Sequence, residues 1–252
     1  MQGSVSAEPM SKREIIDRAD RFWWKVLGEL GTHHILTHGL SFDDIYEAVI
    51  YPQHEVILER NVDLGVDDFG VPILGQYLPK EMTALVDRKL SETGDPRLPS
   101  VSWHEAGGHG VLQGKYLKAC QGRIRKLCDT DRSLRLIENT FELQANTFAR
   151  HVAAPMGLVW VTFQRVFGIS RKIPFCGPRV YMLNGQKTYA ASPIDLAWKI
   201  ARTMQHRFGG LSAECLAYQL IQIAVAYEGY DRGKLWTGNQ ADTMGSAIRN
   251  LL

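Results

Sequence analysis

The chain has 252 residues, of which 45% are hydrophobic and 22% charged, and a formal net charge of +2. Those fractions belong to folded globular proteins, and the length suits one large domain or a domain with an appended lobe. The small charge excludes a strongly basic nucleic-acid surface, no apolar run reaches membrane-spanning length, and Met1–Pro9 lacks the apolar core of a signal peptide, so a cytoplasmic protein is expected.

Residues 1–10 read as a disordered tail. From Ser11 to Leu30 the spacing predicts a helix, with Ser11 as N-cap and Glu14 three residues on to complete a capping box. Ile15, Ala19, Phe22, Trp23, Val26 and Leu27 recur every three or four positions and form its apolar face. His33, His34 and His38 fall in a loop with no acidic or cysteine partner at ligand spacing, and read as surface or capping residues. Ser41 to Ile50 begins another helix, with a serine N-cap and an acidic first turn. Glu55–Glu59 and Val71–Tyr77 read as strands around Asp63–Gly70, whose aspartates fit turn chemistry and not a calcium loop. Thr83–Leu90 fits either a strand or a helix, and Pro96 and Pro99 mark a loop.

The next segment carries the chemistry: Val101-Ser-Trp-His104-Glu105-Ala-Gly-Gly-His109-Gly110. Two histidines on one helix face can share a Zn²⁺, with the glutamate after the first as general base. The usual spacing is four, but His109 follows His104 by five. On a regular α-helix, positions five apart lie about 140° apart around the axis, too far to share an ion. A π-bulge absorbs one extra residue, and Gly107 and Gly108 make distortion cheap. A distortion is therefore predicted at Ala106–Gly108, with Gly108 carrying strained backbone and the rings converging. A regular helix there would instead leave a degenerate, catalytically inactive binding or regulatory module.

Glu138 to Ala154 reads as a helix stopped by Pro155, with Phe141, Ala145, Phe148, Ala149 and Val152 at helical spacing. Glu142 on this helix can supply a third ligand, and Glu138, one turn earlier, is its rival. Glu142-Leu-Gln-Ala-Asn-Thr-Phe-Ala and the short run to Pro155 resemble the ExxANxFAxxLLMP signature of the ImmA/IrrE metallo-endopeptidases, where HELGH stands in place of HEAGGH. The resemblance covers residues 101–155 and is weak elsewhere; an HExxGH variant also occurs in the dipeptidyl-peptidase III family. It implies an α+β, zincin-like fold with a small sheet, an active-site helix and a helical C-terminal lobe. It further implies Zn²⁺ held by His104, His109 and Glu142, Glu105 as general base, and a protein or peptide substrate such as a helix-turn-helix repressor. It makes Thr83–Leu90 a strand that flanks the cleft and pairs with an extended peptide. Tyr77 and His151 are the candidates for an oxyanion donor.

Met156–Phe167 reads as a helix, Lys172–Arg179 as a loop, and Ser192–Met204 and Ala213–Ala226 as helices around a Gly/Ser turn. The last two resemble a helix-turn-helix, but the second carries Glu214, Cys215, Tyr218 and Gln219 and no Lys or Arg. Phosphate contacts dominate DNA affinity, which argues against a nucleic-acid partner. Cys120, Cys128, Cys176 and Cys215 lack CxxC spacing and read as reduced thiols. The expected organisation is the tail, a metallopeptidase domain over 11–170 and a helical lobe over 171–252.

Overall fold

The computed structural model describes residues 10–120, 131–209 and 211–226, without the side chains of residues 120 and 131–139. The expected tail, apart from Met10, therefore lies outside the described residues, as do Cys128 and the side chains of Cys120 and Glu138. In chain order the helices are α1 (Lys12–Leu30), α2 (Thr32–His38), α3 (Phe42–Ile45), α4 (Tyr51–His54), α5 (Arg88–Glu92), α6 (Leu98–Ser102), α7 (Gly114–Cys120), α8 (Asp131–Ala153), α9 (Met156–Phe167), α10 (Pro193–Met204) and α11 (Ala213–Ile223). The backbone is π-helical at Tyr46–Ile50 and Trp103–Gln113. The strands are β1 (Ile57–Val62), β2 (Gly75–Leu78), β3 (Thr83–Asp87), β4 (Ile173–Pro174), β5 (Arg179–Leu183), β6 (Gln186–Ala190) and β7 (Val225–Ala226). Helix and strand are thus mixed, as an α+β chain requires. No helix among the described residues is long and apolar enough to cross a membrane.

The chain forms two compact units: residues up to Leu30 with Phe42–Ala153, and Gly31–Ser41 with the residues from Ala154 on. In the first unit α1 begins at the capping box its sequence spells. Glu14 N donates to Ser11 Oγ at 3.3 Å, and Ser11 N donates to Glu14 Oε2 at 2.7 Å. The buried face is Ile15, Ala19, Phe22, Trp23 and Val26. The Phe22 ring lies 6.5 Å from that of Trp103 and 6.1 Å from that of Phe148, so α1 packs against both elements that carry the candidate ligands. Trp23 Nε1 donates to the Val152 carbonyl at 3.1 Å, pairing one of the carbonyls that the end of α8 leaves without an intrahelical partner.

The three-stranded sheet of this unit runs β1-β3-β2, with β1 parallel and β2 antiparallel to β3. Every residue of β3 is buried. Asp87 ends the strand and caps α5, accepting from Lys89 N at 2.9 Å and from Leu64 N at 3.0 Å. Thr83–Leu90 is therefore a strand that turns into a helix. With a partner on each side, β3 has no free edge and cannot pair with a peptide, contrary to the expectation; among the described residues the edge strands of this sheet are β1 and β2. In the turn region Asp63 accepts from Gly65 N, and Asp67 accepts from Phe69 N and Val71 N, the Asx-turn chemistry expected of them.

The second unit has a core of Phe163, Leu196, Ile200, Met204, Leu216 and Leu220. Ser192 and Ser212 cap α10 and α11 through their hydroxyls. Two expectations change here. The segment with His33, His34 and His38 is helical: Gly31 (φ 76°) and Gly39 (φ 85°) break the chain on either side, so Thr32–His38 closes as α2. The lobe expected to be helical also holds the β5–β6 hairpin and the short parallel pair β4–β7. The units divide between Ala153 and Ala154, and α9 packs with α11 in the second unit.

Candidate metal centre

Trp103–Gln113 is π-helical over 11 residues. Hydrogen bonds running i→i+5 give about 4.4 residues per turn, so positions five apart fall on one face. The rings of His104 and His109 accordingly converge, with Nε2 atoms 3.2 Å apart and ring planes at 87°. The distortion expected at Ala106–Gly108 is present, spread along the whole segment rather than confined to one bulge.

Gly108 does not carry strain, contrary to the expectation: neither Gly107 nor Gly108 has a positive φ. Its missing side chain admits the neighbouring helix instead. A Cβ at Gly108 would stand 2.7 Å from the Ala145 carbonyl oxygen and 2.8 Å from Ala145 Cβ. Close approach of α8 is what delivers Glu142. Its Oε2 lies 3.1 Å from His104 Nε2 and its Oε1 3.1 Å from His109 Nε2.

These three side chains can hold a metal ion, with donor atoms all within 4.8 Å of one another. Donors about 2.0–2.1 Å from a tetrahedral ion stand roughly 3.3–3.4 Å apart, close to the spacing found here. The two imidazoles hold the Glu142 carboxyl well below the usual carboxylate range, so it is ionised at neutral pH, the form that ligates. The Glu142 side chain is 54% exposed and that of His109 only 9%, so the cluster opens to solvent on the Glu142 side.

Glu105 follows His104 but is buried, 7% exposed. Burial pushes its carboxyl up to about 7; the Glu142 charge adds to the shift and His104 opposes it. Gly75 on β2 makes room for this carboxylate, since a Cβ there would come within 2.6 Å of Glu105 Oε1. A buried carboxyl near neutrality can both take and release a proton at pH 7.

The other candidates stand apart from this group. The Tyr77 ring lies 6.2 Å from that of His109 and almost parallel to it. Its hydroxyl donates to Met82 Sδ at 3.2 Å, and burial raises its pKa to about 12, so the phenol stays protonated at neutral pH. His151 is not part of the cluster; burial, with Lys12 and Arg150 in electrostatic reach, lowers its pKa to about 4. Among the described residues no other group of His, Cys, Asp and Glu could hold an ion, which leaves out His33, His34 and His38. Cys176 and Cys215 are reduced thiols, not joined in a disulfide.

Sequence reasoning missed Gln113. It is 1% exposed, with Oε1 2.9 Å from His109 Nδ1 and Nε2 donating to the Phe141 carbonyl at 2.9 Å. The available signal was a polar residue one helical turn after His109 in the otherwise small and apolar run Gly110-Val-Leu-Gln113. No protein-family model, curated protein or solved structure matches the chain.

Proposed function

We propose that the protein is a cytoplasmic, zinc-dependent metallo-endopeptidase with a zincin-like core, hydrolysing peptide bonds of a protein substrate. The observation that carries the reading is the convergence of His104, His109 and Glu142 beside the buried carboxyl of Glu105. Two imidazoles and a carboxylate with one side open are the donor set of catalytic rather than structural zinc sites. Bound there, Zn²⁺ would supply a Lewis acid for water activation and carbonyl polarisation. Glu105 moves the proton: its carboxylate takes one from the attacking water and passes it to the leaving amine. β2 lies against Glu105 at Gly75 and is an edge strand of the described sheet, so strand addition to β2 is the mode of peptide binding that fits this reading. The convergence of the rings speaks against the inactive binding module, whose premise was a regular helix with His109 turned away. A helix-turn-helix repressor is the first substrate class to try, on the strength of the sequence resemblance alone.

Metal content and turnover test the reading together. Protein purified without chelators is expected to carry about one zinc per chain. Glu105→Gln should keep that zinc and lose peptidase activity by about 10²–10⁴-fold, because the amide can neither take nor return a proton. Glu142→Ala should lose the zinc. Zinc lost from Glu105→Gln as well would make Glu105 a ligand, and a wild-type chain that takes up no zinc at neutral pH would favour the binding module.

A further inference from the structure

We propose that Gln113 makes His109 a metal ligand by locking its imidazole in the Nδ1–H tautomer, and that the Phe141 carbonyl sets the orientation in which Gln113 does so. The inference rests on the metal-site reading above and adds a positioning residue to it.

The argument starts from an atom with no choice. A backbone carbonyl can only accept, so the group 2.9 Å from the Phe141 oxygen must be the amide nitrogen of Gln113. The reverse orientation would set oxygen against oxygen. Gln113 Oε1 then faces His109 Nδ1 at 2.9 Å and can only accept, so the hydrogen is on Nδ1. A ring with its hydrogen on Nδ1 coordinates a metal through Nε2, and the proton that Nε2 can share with Glu142 leaves when the ion binds. Nε2 is the atom gathered with His104 Nε2 and Glu142 Oε1. Gln113 is buried, so little water competes for either contact.

The same side chain ties the two ligand-bearing elements together. Gln113 ends the π-helical segment, and Phe141 immediately precedes Glu142 on α8. The tautomer of one ligand and the placement of the next are thereby set by one amide. Outer partners of ligating histidines are worth about 10–100-fold in metal affinity.

Two measurements test this. In ¹⁵N-histidine-labelled wild-type protein loaded with zinc, two-dimensional NMR should show His109 bound through Nε2 with its hydrogen on Nδ1; a ring that binds through Nδ1 overturns the assignment. Zinc affinity read by competition with a chromophoric chelator should fall about 10–100-fold in Gln113→Leu. Gln113→Glu retains an acceptor for Nδ1–H and should bind zinc more tightly than Gln113→Leu. Unchanged affinity in Gln113→Leu, or Gln113→Glu no better than Gln113→Leu, overturns the proposal. If Gln113→Leu fails to fold, the wild-type tautomer decides. A wild-type chain that takes up no zinc defeats the metal-site reading itself, whereas zinc held equally well by Gln113→Leu defeats only the role of Gln113.

Discussion

At the residue scale, two glycines on helical backbone have opposite consequences. Gly28 in α1 has nothing within 4 Å of where a Cβ would sit. Gly28→Ala should stabilise the protein by roughly 0.5–1 kcal/mol, since it only restricts the unfolded chain. At Gly108 the same change drives a methyl into the Ala145 backbone and forces α8 away. Gly108→Ala should cost about 1–3 kcal/mol as an overpacking change and lower zinc occupancy, because Glu142 moves with α8. Urea midpoints of the two variants, with zinc content per chain, check the pair; equal effects at the two positions would refute the account. The residues of the centre were readable because their chemistry lies in identity and spacing: His104, Glu105, His109 and Glu142. Gln113 and Gly108 were not, because each acts through a backbone atom on another helix, and a sequence does not display which carbonyl faces which side chain.

At the element scale, local signals were the legible ones. The capping box of α1 lies within three residues of the groups it pairs and formed as read, and the serine caps of α10 and α11 are equally local. The β5–β6 hairpin was also legible and was missed. Asn184-Gly185 sits between alternating residues, with Tyr181 and Leu183 buried and Val180 and Met182 exposed. Both turn residues have positive φ, 48° and 78°, as a two-residue hairpin turn of the mirror-image type requires. Gly185→Ala should therefore cost about 1–2 kcal/mol locally. Hydrogen exchange should show the Arg179–Ala190 amides losing protection while those of α1 keep theirs; unchanged hairpin protection would count against the turn assignment. Other features were not legible, because distant partners decide them. Pairing on both sides makes β3 a central strand, and the approach of α8 to Gly108 accompanies π-helical backbone that runs well past the one extra residue of the motif.

At the scale of the whole molecule, buried titratable groups of the first unit set how stability follows pH, and two signs compete. Burial lowers the pKa of both His54 and His151 to about 4. The unfolded chain binds those protons near pH 6.5, so their contribution is present above that value and is lost as pH falls toward 4. Asp20 works in the other direction. Burial, reinforced by Asp17, raises its pKa to about 6, so its contribution is present at low pH and is lost as pH rises from about 4 to 6. Glu105, raised by burial to about 7, works in the same direction as Asp20, so two acids nearly balance two histidines and wild-type stability should change little between pH 4.5 and 6.5. Single substitutions separate the terms. Asp20→Asn should raise the urea midpoint at pH 7, where the wild-type chain must keep a charge partly buried, and the gain should fade toward pH 4. His151→Gln should tip that balance, so that stability falls as pH rises from 4.5 to 6.5, because Asp20 and Glu105 then face His54 alone. A gain from Asp20→Asn that is larger at pH 4 than at pH 7 would mean that the Asp20 anion is stabilised by its surroundings, and the sign argued for this unit would be wrong.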